Sequence, residues 1–218
     1  MAISKLNFNS LNVTPSANSA IGFDSGADDL ETGAGGGSMV FIKKLTASSS
    51  GTLSFVDGSS SVVLDNTYKE YVFTFKDIHP ATDDVFLGHQ GDVNGATTYG
   101  QTCTNTMFYA RHGEGDSPAG IDIYSSADQA QGTGINKIVQ LGNGSDKCGS
   151  GYLHIFNPSS TTFVKHFISC LNGYHPSDQS FQIFSAGYYN TTSALNTFQF
   201  KMTSGNIDAG TITLYGIT

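Results

Sequence analysis

Asn196-Thr-Phe198-Gln-Phe200-Lys-Met202, Thr203-Ser-Gly-Asn-Ile-Asp-Ala-Gly210 and Thr211-Ile212-Thr-Leu214-Tyr-Gly216 follow one another near the end of the chain, and their reading decides the fold. Phe198, Phe200 and Met202 alternate with Gln199 and Lys201, the two-residue period of a half-buried strand. Ser204-Gly205-Asn206 and Ala209-Gly210 accept positive φ and let the chain turn back. Ile212 and Leu214 then alternate with Thr211 and Thr213 in a second strand. A strand in that place must pair with something already formed, so it is expected inside a sheet rather than as a loose tail.

Working outward, the same alternation recurs from Met39 onward. Val40-Phe-Ile42 runs on to Leu45, and Leu53-Ser-Phe55 and Val62-Val-Leu64 flank the hairpin-type pair Asp57-Gly58. Tyr71-Val-Phe73-Thr-Phe75 is the strongest single strand, ended at His79-Pro80 because proline cannot donate into a ladder. Val85-Phe-Leu87 is expected to continue that sheet. Residues 91–151 read as the least regular region, with strand-like pieces only at Met107-Phe-Tyr-Ala110 and Ile138-Val-Gln-Leu141. Strand sequence is dense again in Tyr152–Phe156, Phe163–Leu171 and Phe181–Tyr189. No helical spacing persists beyond two turns. Roughly ten to twelve strands predict an all-β chain, an antiparallel β-sandwich of jelly-roll type over residues 39–218. Its expected core is Phe73, Phe75, Phe163, Phe167, Phe198, Phe200, Ile212 and Leu214.

Residues 1–38 differ in character. Phe8, Leu11, Ile21, Phe23 and Leu30 are isolated anchors among Ser, Asn and Asp, followed by the hinge Gly33-Ala-Gly-Gly-Gly-Ser38. Such anchors cannot make a core alone, and they suit an extended N-terminal arm that docks on another surface.

Composition excludes several functions. A chain of 218 residues is long enough for one domain plus an arm. Its net charge is −8, with 10 basic residues of which Arg111 is the single arginine. Nucleic-acid binders cluster Lys and Arg to displace counterions, so no nucleic-acid partner is expected. No run approaches the ~20 apolar residues of a membrane helix, and no secretory leader is evident, so no membrane insertion is expected. Cys103, Cys148 and Cys170 are odd in number and read as free thiols in a reducing cytoplasm.

The chemistry-bearing residues do not converge on a motif. Of the six histidines, His154 and His166 could face each other across a hairpin, but two histidines lack the further ligand a zinc site needs. The glutamates are Glu31, Glu70 and Glu114 alone, and most aspartates lie in Gly/Ser turns. No catalytic residue, cofactor site or metal site is therefore assigned. The loose acidic spacings Asp24…Asp28-Asp29, Asp83-Asp84 and Asp92…Asn94 leave room for a structural calcium ion as the one cofactor. Tyr99, Tyr109, Tyr124, Tyr188 and Tyr189, with Arg111, stand in or beside polar loops and are the candidate residues facing a host or partner.

Four segments carry a resemblance: Ser204–Ile217, Tyr68–Asp83, Leu153–Ile168 and Gly187–Leu195. They resemble a family of virion structural proteins of marine bacteriophages, described as tail-fibre-like or head-decoration-like. The resemblance implies a component of the virion, made in the bacterial host cytoplasm, and it implies no reaction. The expected function is a non-enzymatic appendage of tail-fibre or spike type, docked by the arm and presenting loops to the host surface. A capsid decoration (cement) protein is the alternative, and a polysaccharide-cleaving tail spike the second. Expected partners are further copies of itself, as a homo-oligomer and by symmetry a trimer, other tail or capsid proteins, and a host surface glycan or protein.

Overall fold

Alternating apolar and polar side chains cannot bury one face without a second layer, and that requirement organises the molecule. In the computed structural model, residues 38–93, 95 and 98–218 are described in full and residues 20–23 and 30–33 by their backbone. The chain falls into two compact units, residues 1–40 with Thr218 and residues 41–217. In the first, β1 (Ala20–Phe23) and β2 (Leu30–Gly33) pair antiparallel, with Phe23 opposite Leu30. Ile21, Phe23 and Leu30 of the expected arm fall on these strands, but their side chains lie outside the described residues. Phe8 and Leu11, and the acidic run Asp24…Asp29, lie outside them altogether.

The second unit is a sandwich of two antiparallel sheets. In chain order its strands are β3 (Met39–Thr46), β4 (Leu53–Val56), β5 (Glu70–Pro80), β6 (Val85–Asp92), β7 (Cys103–Gly113) and β8 (Ala119–Ile123). Then come β9 (Gln129–Gly132), β10 (Asn136–Leu141), β11 (Gly149–Phe156), β12 (Lys165–His175), β13 (Gln179–Tyr189), β14 (Thr197–Met202) and β15 (Ile207–Ile217). The large sheet has the order β3-β15-β5-β11-β12-β13-β7-β8, with β9 also on β7, and the small sheet has the order β10-β6-β14-β4. One 3-10 turn, Ser125–Ala127, is the only helical element among the described residues.

The inner faces meet in an aromatic core. Phe200 of the small sheet packs on Phe73 and Phe75 of the large one at ring-centre distances of 4.9 and 5.2 Å, and on Phe55 beside it at 6.1 Å. Phe167, Phe198, Ile212 and Leu214 are buried as expected. Phe163 is not: it is 70% exposed, because it precedes β12 and never enters the strand's alternation. The ammonium of Lys165, two residues on, is enclosed instead, donating to the carbonyls of Phe163 (2.9 Å) and Thr191 (3.0 Å). Burial lowers its pKa. We expect Lys165→Ala to cost about 1–3 kcal/mol, since two part-buried carbonyls lose their donor and a cavity remains. Urea unfolding checks this, and a loss under about 0.5 kcal/mol would place that ammonium in water.

Several expectations are corrected. The final two strands do not form a hairpin: β14 pairs with β6 and β4, while β15 pairs with β5 and β3 in the other sheet. The predicted positive φ is present, at Gly205 (+70°) and Gly210 (+112°). At Gly210 a Cβ would stand 2.5 Å from the Asp77 carbonyl oxygen, so the bulged β5–β15 pairing needs glycine there. Val62 and Leu64 are buried but not in a strand; Asp57 Oδ1 accepts from the Leu64 amide at 2.8 Å and closes a loop instead. Val85–Leu87 belongs to the small sheet, opposite its predicted neighbour. The region 91–151, expected to be irregular, holds the eleven-residue β7 and three further strands.

β14 is also more buried than a half-exposed strand. Gln199, on its outer side, is nearly covered and donates to Gln90 Oε1 at 2.9 Å. Gln90 in turn donates to the Tyr99 carbonyl at 2.9 Å and the Thr133 carbonyl at 3.3 Å. Gln199 thus satisfies the Gln90 oxygen and Gln90 satisfies the loop carbonyls, which lets polar side chains sit under a loop at little cost.

Candidate functional site: the outer face of the large sheet

β12, β13 and β7 are long neighbouring strands whose even alternation sends every second side chain away from the core. Across them the register aligns Tyr152, Cys170, Phe184, Phe108 and Ile123 in one row over five strands. The adjoining rows bring Ile168 beside Ala186, and Ala110 beside Ile121. Among the large apolar side chains of these rows, exposure ranges from 37% at Phe184 to 78% at Ile121. Most of the large apolar side chains left in water by the second unit therefore share one face. A row of five strands spans about 19 Å at the usual interstrand spacing.

The rings within this face are ordered. Phe108 and Phe184, direct cross-strand partners, stack at 5.0 Å with their planes 13° apart. A hollow of about 190 Å³ lies beside them, lined by Thr106, Ile168 and Ala186. None of the outward residues of β11, β12, β13 and β7 is a carboxylate, lysine or arginine. The chain as a whole carries −8, so this face is neutral on an acidic protein.

One end of the face opens into a pocket of about 300 Å³ lined by His112, Glu114, Asn172, Tyr174, Gln179 and Ser180. Tyr174 donates from its hydroxyl to Glu114 Oε1 at 2.6 Å, and that bond pushes the phenol up to about 12. The ammonium of Lys147 sits 4.7 Å from the Tyr174 ring centre and pairs with Asp178 at 2.6 Å. Asn172 donates to Ser180 Oγ at 2.9 Å, and His112 Nε2 lies 3.2 Å from Asp116. Donors, acceptors and an aromatic wall thus surround one small space.

The tyrosines singled out from the sequence disperse. Tyr109 is a core residue stacked on Phe181 at 4.9 Å, with Arg111 5.7 Å from its ring centre on the same side of β7. Tyr124 meets Tyr109 at 5.3 Å and donates to Gln140 Oε1 at 2.5 Å; burial raises its pKa. Tyr189 is buried and bonded to His89 Nδ1 at 2.9 Å and to Asn136 Nδ2 at 3.1 Å, while burial holds its phenol well above the usual range. Its neighbour Tyr188 points the other way, half-exposed beside His166 on the outer face. Tyr99 is half-buried against the small sheet, its hydroxyl 3.4 Å from Ser54 Oγ. Tyr109 and Tyr189 are therefore corrected from loop residues to core, because both fall on inward positions of long strands.

Other expectations resolve locally. His154 pairs with Ile168 and His166 with Tyr188, so the two histidines are not cross-strand partners. Asp83 and Asp84 accept hydrogen bonds from the Asn143 amide and the Gln140 side chain, and Asp92 accepts from the Val93 and Thr98 amides. No metal-binding cluster of His, Cys, Asp and Glu occurs among the described residues. All three cysteines are free, and burial pushes the Cys103 thiol up to about 12. The residues that sequence reasoning missed are Phe108, Ile121, Ile123, Tyr152, Ile168 and Phe184. Their signal was the failure of alternation in Phe167-Ile168 and Ile183-Phe184, where adjacent apolar residues supply both faces of one strand.

No known protein family, curated protein or solved structure matches this chain.

Proposed function

We propose that this chain is a non-enzymatic structural protein of a bacteriophage particle, an appendage of tail-fibre or spike type. Residues 1–38 dock it, and the sandwich presents its surface to the host. The resemblance of four segments supports the virion half of this reading. The observation that carries the host-contact half is the pocket around Tyr174, Glu114, Asn172 and Ser180. Hydroxyl groups of a sugar both donate and accept, and its C–H faces seat against an aromatic ring. Glu114 in the lining disfavours an anionic sugar, so the ligand is a neutral or amino hexose unit. The sandwich is of jelly-roll type in this reading, supported by the chain's passage between sheets at every connection from β3 to β7.

Immunogold electron microscopy of intact virions, with antibody against residues 39–218, tests the placement. Gold on the tail is the expected result; gold on the head would make the chain a decoration protein, and none on either would end the virion reading. The pocket is tested by saturation-transfer NMR with glucose, galactose and glucosamine. We expect transfer to at least one sugar, weakened about tenfold in Glu114→Gln, where a charge-assisted acceptor becomes neutral. Equal signals in wild type and variant would move sugar contact elsewhere.

A further inference from the structure

We infer that the neutral apolar face of β11, β12, β13, β7 and β8 is a self-association surface, and that a second copy of this chain occupies it. The inference stands on the sheet geometry and does not depend on the virion reading. Three observations select the occupant.

The first is the ring arrangement. Phe108 and Phe184 each spend one ring face on the other, and Ile123 and Cys170 stand next in the row on their remaining sides, so the pair offers edges outward. A sugar would need an open ring face, whereas a protein's apolar side chains pack against edges readily.

The second is charge. Each copy carries −8, and contact through a surface bearing carboxylates would set like charges together. The outward residues of β11, β12, β13 and β7 contain no carboxylate, and Glu114, Asp116 and Asp178 gather at one end, so two copies can meet over the apolar row with those charges left outside it.

The third is size. β7, β12 and β13 are each eleven residues long. With β11 at eight residues and β8 at five, the five strands cover roughly 700 Å², close to the area of about 800 Å² each partner contributes to a standard stable interface. The apolar row lies across the middle of that area, with Thr, Ser, Asn, Gln and His around it, the arrangement of an apolar core inside a polar rim. A face that meets itself is isologous, so the pair is two-fold, or a larger assembly is built from such pairs, rather than a trimer.

Cys170 reports on the contact directly. It sits in the row between Tyr152 and Phe184, part-exposed and unpaired, whereas Cys103 is buried. The experiment is analytical ultracentrifugation of the full chain between 1 and 100 μM, with iodoacetamide alkylation of Cys170 followed by mass spectrometry at the same concentrations. Ile121→Glu and Ile168→Glu are the variants, both at positions exposed enough to leave the fold intact. The expected result is a concentration-dependent dimer in wild type, with Cys170 alkylation at least tenfold slower in the dimer than in the monomer. Either variant should weaken association at least tenfold and restore alkylation, with an unchanged circular dichroism spectrum. A wild type that stays monomeric at 100 μM overturns the proposal. So does a monomer whose Cys170 is nevertheless protected, which would mean that the chain's own leading residues cover the face. An oligomer indifferent to both substitutions overturns it as well, since its contact would lie elsewhere.

Discussion

Phe200→Ala should lower the unfolding free energy by about 4 kcal/mol, the middle of the range for deleting a buried phenylalanine. Phe200 is fully buried on a central strand of the small sheet, and its ring touches those of Phe55, Phe73 and Phe75. Phe73 and Phe75 belong to β5, locked on both sides by β15 and β11, so they cannot collapse into the space left behind. Against a total stability of about 5–15 kcal/mol for an ordinary domain, that loss is a large share. Urea denaturation should show a lower midpoint at an unchanged slope. Phe163→Ala is the control: at 70% exposure it should change stability by no more than about 0.5 kcal/mol. If Phe200→Ala cost no more than the control, the two sheets would not be packed through this cluster.

The second large effect is acid sensitivity centred on His89. Burial among Phe167, Phe200 and Tyr189 lowers its pKa from 6.5 to about 3. Nδ1 faces the Tyr189 hydroxyl, while Nε2 meets no hydrogen-bond partner among the described residues. An imidazolium there would have no acceptor on that side, and the aromatic surroundings solvate it poorly. The unfolded chain takes up a proton below pH 6.5, and the native chain does not until about pH 3. Stability is therefore complete above the unfolded value and falls as pH drops, by about 1.4 kcal/mol per unit for one proton. Between pH 6 and pH 4 the loss from this group comes to about 2.5 kcal/mol. His175, lowered in the same direction chiefly by burial, adds to the trend. His89→Phe should reduce the slope of stability against pH by about one proton over that interval. A slope unchanged in the variant would show that His89 is protonated in the native state.

Much of the fold class was legible. The alternation in Phe198–Met202 and Ile212–Leu214 marked strands, and Gly205 and Gly210 marked the places where φ turns positive. Pro80 closed β5 as proline's missing N–H requires. The candidate site was less legible. Tyr188 and Tyr189 looked equivalent beside a polar loop, yet one is on the outer face and the other bonds His89 in the core. Phe108, Ile168 and Phe184 each looked like ordinary strand residues, and only the register of β11, β12, β13, β7 and β8 sets their neighbours beside one another.

By itself, the sequence determined that these segments are strands, where they stop, and that each has an apolar side to bury. Tertiary structure alone decided that β14 and β15, adjacent in the chain, part into opposite sheets, and that five strands from two separate stretches, 103–123 and 149–189, pool their outward apolar residues. The reason is physical. Alternation and turn propensity are local, set by a few dihedral angles and one side chain's preference for water or core. A strand's partner is chosen by which pairing lets all the apolar faces close on one another at once, and no single segment contains that information.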